Sequence, residues 1–407
     1  MRRARNSAAV LVVAVSAMLA LAGCTAGQPG AAAARRTGDG PAAKRVAGST
    51  GAASSTRAAD STTTSGSSST ARKRPGPPPL RITSITPARP GTGPGETRVV
   101  VRFSARLDPA SPHPTLSPAT AGTWSMSGHA AVFEVAGAFL PDSTVKLTVP
   151  GGRRGVRSTA GARLASSHTA AFRTGAGSIL RAQQLLALLG YSPLNWTPTG
   201  AAIPATDLAA QQRAAYAPPP GQFSWRSTGW PASLTRLWQP GVDTTLTRGV
   251  VMAFEADHGL AVDGVIGPQV WGALLAAVAN HQTNTSGYTY AVAYKGSPET
   301  LTLWHDGRVV LRTLANTGIA AAPTADGTFP VYERLRNQVM KGTEPDGRHY
   351  ADPVQYVAYF DGGEAVHYLW RASYGWPQSL GCVELPLRQA ATAWSYLGIG
   401  TLVTVSS

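Results

Sequence analysis

Apolar and polar residues alternate in short runs between Leu80 and Thr174, and Gly, Pro and Ser separate the runs. Clear examples are Arg98–Phe103, Ala131–Val135 and Val145–Val149. A period of two residues is typical of strands with one buried face. Many short strands between turns favour an all-β sandwich. We therefore predict a β domain over residues 80–175.

The next stretch, residues 178–280, has helical signals at both of its ends. We predict three helices in it: Ile179–Leu189, Thr245–His258 and Pro268–Ala279. Ser178 is a suitable N-cap for the first helix, and Gly190 is a suitable stop. A Pro-rich insertion from Tyr191 to about Val242 follows that helix. The pattern predicts a small α-helical domain that is interrupted by this insertion.

Residues 287–407 return to strand patterning. The predicted strands are Tyr290–Tyr294, Leu301–Trp304, Arg308–Leu311, Val354–Phe360 and Thr401–Val405. One helix, Pro386–Leu397, precedes the last strand and stops at Gly398. The chain is thus predicted to be multidomain, with a β-sandwich, a small α-helical domain and a β-rich C-terminal domain.

The N-terminus carries an export signal. Arg2, Arg3 and Arg5 precede an uncharged apolar run that is too short to span a bilayer comfortably. The run ends in Leu-Ala-Gly-Cys24, which resembles the bacterial lipobox. That resemblance implies removal of residues 1–23, lipid attachment to Cys24, and a protein anchored to the outside of the cell membrane. An ordinary secretory signal that is cut elsewhere is the alternative.

Most of the net positive charge lies in the predicted signal and the low-complexity segment that follows it. Residues 24–79 are rich in Ala, Gly, Ser, Thr and Pro, which predicts a disordered tether. Of the net charge of +15, +9 lies in the first 79 residues. Because so much of the charge belongs to the signal and the tether, nucleic acid is disfavoured as a partner. Anionic lipid headgroups or wall polymers are the expected partners of the tether.

The two cysteines exclude a disulfide framework and a Cys-rich metal cluster. If Cys24 carries lipid, Cys382 has no disulfide partner within the chain and is buried and inert, paired with another molecule, or a reactive thiol. Gly381 permits close approach of a substrate, and amides around it are candidate oxyanion donors. A helix predicted to start near Pro386 would favour a thiolate. His367, fifteen residues upstream, is a candidate base for a Cys–His pair.

Three ordered motifs give this segment a family resemblance. They are Thr317-Gly…Pro-Thr-Ala-Asp-Gly-Thr-Phe329, Ala-Val-His367 and Ser379-Leu-Gly-Cys382-Val. Together they resemble the L,D-transpeptidase catalytic domain (YkuD type), which joins peptidoglycan stem peptides by 3→3 cross-links. The resemblance implies that Cys382 is the nucleophile and His367 the general base and acid. It also implies that the Tyr368 carbonyl orients His367, and that Ser379 and Gly381 shape the loop and the oxyanion site.

Two positions depart from the family pattern. Leu380 stands where the family usually has His, and Glu384 stands where it usually has Arg. Glu384 is expected either to favour a cationic or amidated group or to pair with Arg388. The resemblance requires no metal and no organic cofactor.

The other two segments also resemble known modules. Phe103-Ser, Gly122-Thr-Trp, Leu140-Pro-Asp and Ala171-Phe-Arg-Thr together resemble bacterial Ig-like domains. The helical segment resembles a peptidoglycan-binding module, although Phe254-Glu255 replaces the usual Phe-Gln. Glu255 and His258 have the spacing of a metal pair but lack a visible third ligand, so a surface or capping histidine is the simpler interpretation.

The segments together predict a wall-modifying enzyme. We expect a lipid anchor, a tether, a β spacer, a wall-binding module and a catalytic domain that acts on stem peptides. Two alternatives remain open: an L,D-carboxypeptidase that uses water as the acceptor, and a non-catalytic peptidoglycan-binding lipoprotein. The oligomeric state and the role of the 191–242 insertion are not predicted.

Overall fold

The computed structural model describes residues 76–87 and 98–407. The predicted signal peptide (1–23), Cys24 and nearly all of the predicted tether (24–79) lie outside these residues. Among the described residues, no helix combines the length and the apolar character needed to cross a membrane.

The first described segment is a sandwich of two antiparallel sheets. Its strands are β1 (Ile82–Thr86), β2 (Arg98–Phe103), β3 (Thr115–Ser117), β4 (Gly122–Ser127), β5 (Ala130–Val135), β6 (Thr144–Val149) and β7 (His168–Arg173). The sheet orders are β1-β2-β5-β4 and β3-β6-β7. Val99, Val101 and Phe103 alternate into the core, where Phe139 meets Phe172 edge-on with 5.4 Å between ring centroids. The period-two pattern therefore predicted this sandwich correctly.

The second segment contains the predicted helices together with unpredicted short elements. The elements are α1 (Ile179–Leu188), β8 (Leu194–Pro198), α2 (Leu208–Ala214), β9 (Gly221–Trp225), α3 (Ala232–Thr235), α4 (Thr245–Asp257) and α5 (Pro268–Ala279). The Ser178 hydroxyl accepts the backbone N–H of Arg181, which confirms the predicted N-cap. Gly190 has a φ of +88°, a conformation that glycine adopts without strain, just after the end of α1.

The helices and the C-terminal domain share one hydrophobic core. Phe254 of α4 and Trp271 of α5 are fully buried in the same cluster as Tyr290 and Leu402 of the C-terminal domain. Contact is so close beside Gly249 that a Cβ atom there would lie 2.6 Å from the Gly400 carbonyl oxygen. The helical module is therefore packed onto the C-terminal domain.

The insertion between α1 and α4 contacts both neighbouring domains. On one side the Tyr216 hydroxyl donates to the Phe139 carbonyl at 2.8 Å. On the other side Trp230 packs edge-on against Tyr288, with 5.7 Å between ring centroids. Strands β8 and β9 pair as an antiparallel hairpin between these contacts. The Pro-rich composition alone did not predict this bridge.

The C-terminal segment consists of two sheets around a second core. Its elements are β10 (Thr289–Tyr294), β11 (Thr300–His305), β12 (Arg308–Leu314), β13 (Gly327–Pro330), β14 (Glu333–Thr343), β15 (His349–Asp361), β16 (Glu364–Tyr368), β17 (Val383–Leu385), α6 (Leu387–Tyr396) and β18 (Leu402–Ser406). One sheet has the order β12-β11-β10-β18-β13, and the other β14-β15-β16-β17. The multidomain fold class predicted from the sequence is confirmed.

Candidate active site

Cys382 and His367 lie on one edge of the four-stranded sheet. Strand β17 begins one residue after Cys382 and pairs in parallel with β16, which carries His367; Val366 is opposite Val383, and His367 is opposite Glu384. Val366 and Val383 belong to the core between the sheets. Because successive side chains alternate between faces, His367, Cys382 and Glu384 share the other face. There Cys382 and His367 line a single cavity of about 390 Å³.

The loop before Cys382 is held by Ser379. The buried Ser379 hydroxyl donates to the Cys382 carbonyl at 2.6 Å and accepts the Gly381 N–H at 3.2 Å. Gly381 has a φ of +109°, which only glycine adopts readily. The Gly381 N–H is therefore already hydrogen-bonded within the loop in this geometry. This bond helps to hold the loop, as expected, but the Gly381 N–H is not free to donate to an oxyanion in the resting state.

The Cys382 side chain is a neutral thiol in this environment. Burial raises the pKa of Cys382 to about 12, and the Glu384 and Glu364 carboxylates add to the rise. The thiol donates to the Gly363 carbonyl, with 3.8 Å between Sγ and the oxygen. The short strand β17 separates Cys382 from α6, so the predicted helix terminus does not lie directly beside the sulfur. Desolvation opposes the thiolate that this terminus was predicted to favour.

His367 is buried and neutral. Burial lowers the pKa of His367 below its ordinary value, and this outweighs the neighbouring Tyr368 backbone and Glu384 carboxylate, which raise it. No group among the described residues makes a well-aligned hydrogen bond to its buried Nδ1, although the Tyr368 backbone is close enough to raise the pKa. A neutral imidazole can accept a proton, which is what a general base must do.

Glu384 pairs with a residue that the sequence did not single out. The Arg371 guanidinium donates to both Glu384 carboxylate oxygens, from Nε at 2.7 Å and from Nη2 at 2.6 Å. Asn316 donates to the same carboxylate at 3.3 Å. The expected pairing of Glu384 with Arg388 is wrong, because Arg388 is exposed on α6 whereas Glu384 is buried facing the cavity. Leu380, the second departure, lines the cavity.

The residues singled out in the helical module have structural partners. The buried Glu255 carboxylate accepts the N–H groups of Asp263 at 3.0 Å and Gly264 at 2.8 Å. His258 donates from Nδ1 to the Phe254 carbonyl at 2.9 Å. No cluster of three or more metal-ligating side chains occurs in the described ranges. His258 is the C-cap residue of α4 and bonds to the Phe254 carbonyl, so it is the capping histidine that the simpler interpretation predicted.

Three family models match successive parts of the chain. Residues 77–174 match a bacterial Ig-like domain, and residues 238–274 match a putative peptidoglycan-binding domain. Residues 288–405 match the YkuD model, described as the L,D-transpeptidase catalytic domain. These residues form an L,D-transpeptidase catalytic domain. The cavity that holds Cys382 and His367 lies within this transpeptidase domain.

Solved L,D-transpeptidases resemble the chain at low overall scores. One from Mycobacterium smegmatis has 15% identity and a TM-score of 0.28, over 81% of this chain and 100% of that protein. L,D-transpeptidase 3 from Mycobacterium tuberculosis has 16% identity and a TM-score of 0.28, over 80% of this chain and 98% of its own. The catalytic domain of the E. faecium enzyme has 28% identity and a TM-score of 0.27, over 30% of this chain and 99% of its own. No curated protein matches the chain significantly.

Several cavity residues of the transpeptidase domain were missed from the sequence. Tyr350 and Tyr359 of β15 line the cavity, and burial raises the pKa of each, with a smaller contribution from Cys382. Strand β14, which forms another part of the cavity wall, has no clear alternation, so neither its pairing nor its side-chain directions could be predicted. Arg371 lies in a loop without any periodic pattern. The one feature of the sequence that hinted at a basic partner such as Arg371 was the acidic residue Glu384 at a position where the family usually has Arg.

Proposed function

We propose that the protein is a peptidoglycan L,D-transpeptidase that forms 3→3 cross-links through a cysteine thioester. The observation that carries this proposal is that Cys382, directly before β17, and His367, on the adjacent parallel strand β16, line one cavity inside the transpeptidase domain. The proposed donor is a tetrapeptide stem, and the proposed acceptor is an amine on a neighbouring stem.

In the first step, Cys382 Sγ attacks the carbonyl carbon of the third residue of the donor stem. The sulfur–carbon bond forms while the thiol proton passes to His367. The carbon–nitrogen bond then breaks, and His367 returns the proton to the departing D-alanine amine. The product is a thioester on Cys382, and the reaction is balanced without metal or redox chemistry.

In the second step, the acceptor amine attacks the thioester carbonyl. His367 takes a proton from this amine, an amide bond forms, and the Cys382 sulfur leaves and regains its proton. Water in place of the amine would give a carboxypeptidase. The same two residues would serve both reactions, so the products decide between them.

The protonation states support attack that is coupled to proton transfer. The pKa of Cys382 is raised by burial and that of His367 is lowered by burial, so a preformed thiolate–imidazolium pair is disfavoured. A neutral thiol needs its proton removed as the sulfur attacks, and a neutral imidazole is ready to accept it. We therefore expect the acidic limb of the kcat/KM profile to lie below the ordinary histidine value.

We further propose that Cys24 is lipidated and holds the enzyme at the outer face of the cell membrane. The motif before Cys24 supports this proposal, together with the domains that act on or bind peptidoglycan. Replacing Cys24 by Ala should move the protein from the membrane fraction to the soluble fraction. A variant that stays membrane-bound would show that lipid at Cys24 is not the anchor.

Product analysis tests the proposed reaction. Purified protein is incubated with a disaccharide-tetrapeptide, and the products are identified by mass spectrometry. Cross-linked dimers are expected, and Cys382→Ala should form none. Tripeptide without dimers would indicate hydrolysis, and absence of turnover would indicate a binding protein. Full activity of Cys382→Ala would show that the nucleophile lies elsewhere.

β-Lactams offer a second test of the nucleophile. The E. faecium catalytic domain is described as acylated by ertapenem, and the M. tuberculosis transpeptidase 3 carries a faropenem-derived adduct. We expect ertapenem to add covalently to this protein and peptide mapping to place the adduct on Cys382. An adduct that persists in Cys382→Ala would contradict the assignment.

A further inference from the structure

The Glu384–Arg371 ion pair lies in the catalytic cavity and has no part in the proton transfers described above. Both residues line the cavity together with Cys382 and His367. Arg371 bonds both carboxylate oxygens of Glu384, and its Nη2 also donates to the Gln378 carbonyl at 3.3 Å. These contacts fix the plane of the guanidinium, because two parallel N–H···O bonds define one orientation.

The two partners differ in their accessibility. The Glu384 side chain is 3% exposed, whereas the Arg371 side chain is 31% exposed. The bonds to Glu384 use Nε and Nη2, so Nη1 is not part of the ion pair. A molecule that enters the cavity therefore meets the cation rather than the carboxylate. The pKa of Arg371 is raised by its hydrogen bonds to Glu384, which keeps the group charged.

We propose that Arg371, oriented by Glu384, binds a carboxylate of the donor peptide and makes the enzyme prefer a donor with a free terminal carboxylate over its amide. This rests on the proposed function, because the donor must lie with its scissile carbonyl at Cys382. Glu384 is then a positioning residue, and Arg371 is a donor-binding residue.

The spacing along the strand suits this assignment. Glu384 lies two residues beyond Cys382, a separation of roughly 6.6 Å at about 3.3 Å per residue. In a peptide, one residue separates the scissile carbonyl from the terminal carboxylate of the leaving amino acid, and consecutive Cα atoms are about 3.8 Å apart. With a hydrogen bond of about 2.8 Å added, this length matches the spacing from Cys382 to Glu384, so a donor at the thiol can extend its carboxylate toward the part of the cavity that Arg371 lines.

The cavity also contains a matched control cation. Lys341, from β14, lines the same cavity, but among the described residues Glu384 forms its ion pair with Arg371 and not with Lys341. If the preference for a carboxylate came from the general positive charge of the cavity, both cations would contribute. If the fixed guanidinium is responsible, only changes at Arg371 and Glu384 will alter the preference.

The test measures binding in a Cys382→Ala background, so that no turnover occurs. Isothermal titration compares a tetrapeptide donor that has a free C-terminal carboxylate with the same peptide as its C-terminal amide. Because removing one partner of a buried ion pair is destabilising, the main variant replaces both partners, Arg371→Met with Glu384→Gln. Arg371→Lys keeps the charge but loses the planar fork, and Lys341→Met is the control.

We expect the parent to bind the acid at least tenfold more tightly than the amide. The double variant should bind both forms equally, at the affinity of the amide, and Arg371→Lys should retain a reduced preference. Lys341→Met should preserve the full preference. Equal binding of acid and amide by the parent, or loss of the preference in Lys341→Met alone, overturns the inference. Absence of binding of either peptide instead counts against the proposed function.

Discussion

The chain has two regions in which a buried glutamate lies near a histidine, and they are built in opposite ways. In the helical module, His258 donates to the Phe254 carbonyl, and the two rings stack with 4.0 Å between their centroids. Glu255 there accepts hydrogen bonds from two backbone N–H groups. In the transpeptidase domain, His367 is more deeply buried, and no described group makes a well-aligned hydrogen bond to its Nδ1. The Glu384 carboxylate there accepts hydrogen bonds from two side chains, Arg371 and Asn316, rather than from backbone N–H groups.

The comparison distinguishes polar groups that stabilise the fold from polar groups that take part in catalysis. A polar group whose bonding capacity is used locally stabilises a fold, because leaving it unpaired would cost about 1–3 kcal/mol. An unpartnered buried nitrogen carries that cost, and each one needs an explanation; for His367, which lines the cavity, we infer that the substrate supplies the missing partner. We therefore expect changes at His367 to affect catalysis and changes at His258 to affect stability.

The largest effect should come from His367. We expect His367→Gln to lower kcat/KM by about 10²- to 10⁴-fold, because proton transfer by a positioned base contributes about that much. His258→Gln is the matched control and should keep kcat/KM within about twofold. Steady-state cross-linking assays measure both variants. Similar losses in the two variants would show that the contrast between the regions is false.

Ser379 should have the next largest effect. Ser379→Ala removes the bonds to the Gly381 amide and the Cys382 carbonyl, and lost bonds of buried groups cost about 1–3 kcal/mol. If these bonds serve mainly to position Cys382 for attack, kcat should drop by about 10- to 100-fold with little change in melting temperature. A lower melting temperature with unchanged kcat would instead assign Ser379 to folding alone.

The reactivity of the thiol gives a smaller effect. Because burial raises the pKa of Cys382 to about 12, its thiolate fraction at pH 7.5 is very small. We expect iodoacetamide to alkylate Cys382 at least tenfold more slowly than it alkylates glutathione, with a rate that rises through pH 10. Intact-mass kinetics on the protein without donor measure this rate. Rapid alkylation at pH 7 would mean that a thiolate exists in the empty site.

The smallest effect on catalysis concerns Glu255, which does not line the catalytic cavity and acts on stability instead. Burial raises the pKa of Glu255 from 4.5 to about 7, although the Gly264 N–H opposes the rise. The folded state therefore holds this proton more tightly than the unfolded state. The free energy of unfolding should decrease as the pH rises from about 4.5 to 7, by about 1.4 kcal/mol for each unit of pKa difference.

Glu255→Gln tests this dependence. The amide restores the residue usual in the related module and cannot ionise, so the contribution of position 255 to the pH dependence should vanish. Denaturant unfolding at pH 5 and pH 8 measures the difference, and the variant should gain stability at pH 8. An unchanged pH dependence would place the titrating group elsewhere.

The sequence predicted elements with strong periodicity and local caps. The alternation of β2 and the caps of α1 depend on neighbouring residues only, and both predictions were confirmed. The sequence suggested Cys382 and His367 as a pair but did not predict the parallel pairing of β16 with β17 that brings them together. The partner of Glu384 could not be predicted, because a loop residue thirteen positions away is brought to it by tertiary packing.

The measurement that tests the central proposal most directly is detection of the acyl-enzyme. Full-length protein is mixed with a disaccharide-tetrapeptide and quenched in acid within the first turnovers, and the intact mass is recorded. We predict an added mass equal to the donor without its terminal D-alanine, located on Cys382 by peptide mapping and absent in Cys382→Ala. Cross-linked product without any adduct on Cys382, or an adduct on another residue, would contradict the account.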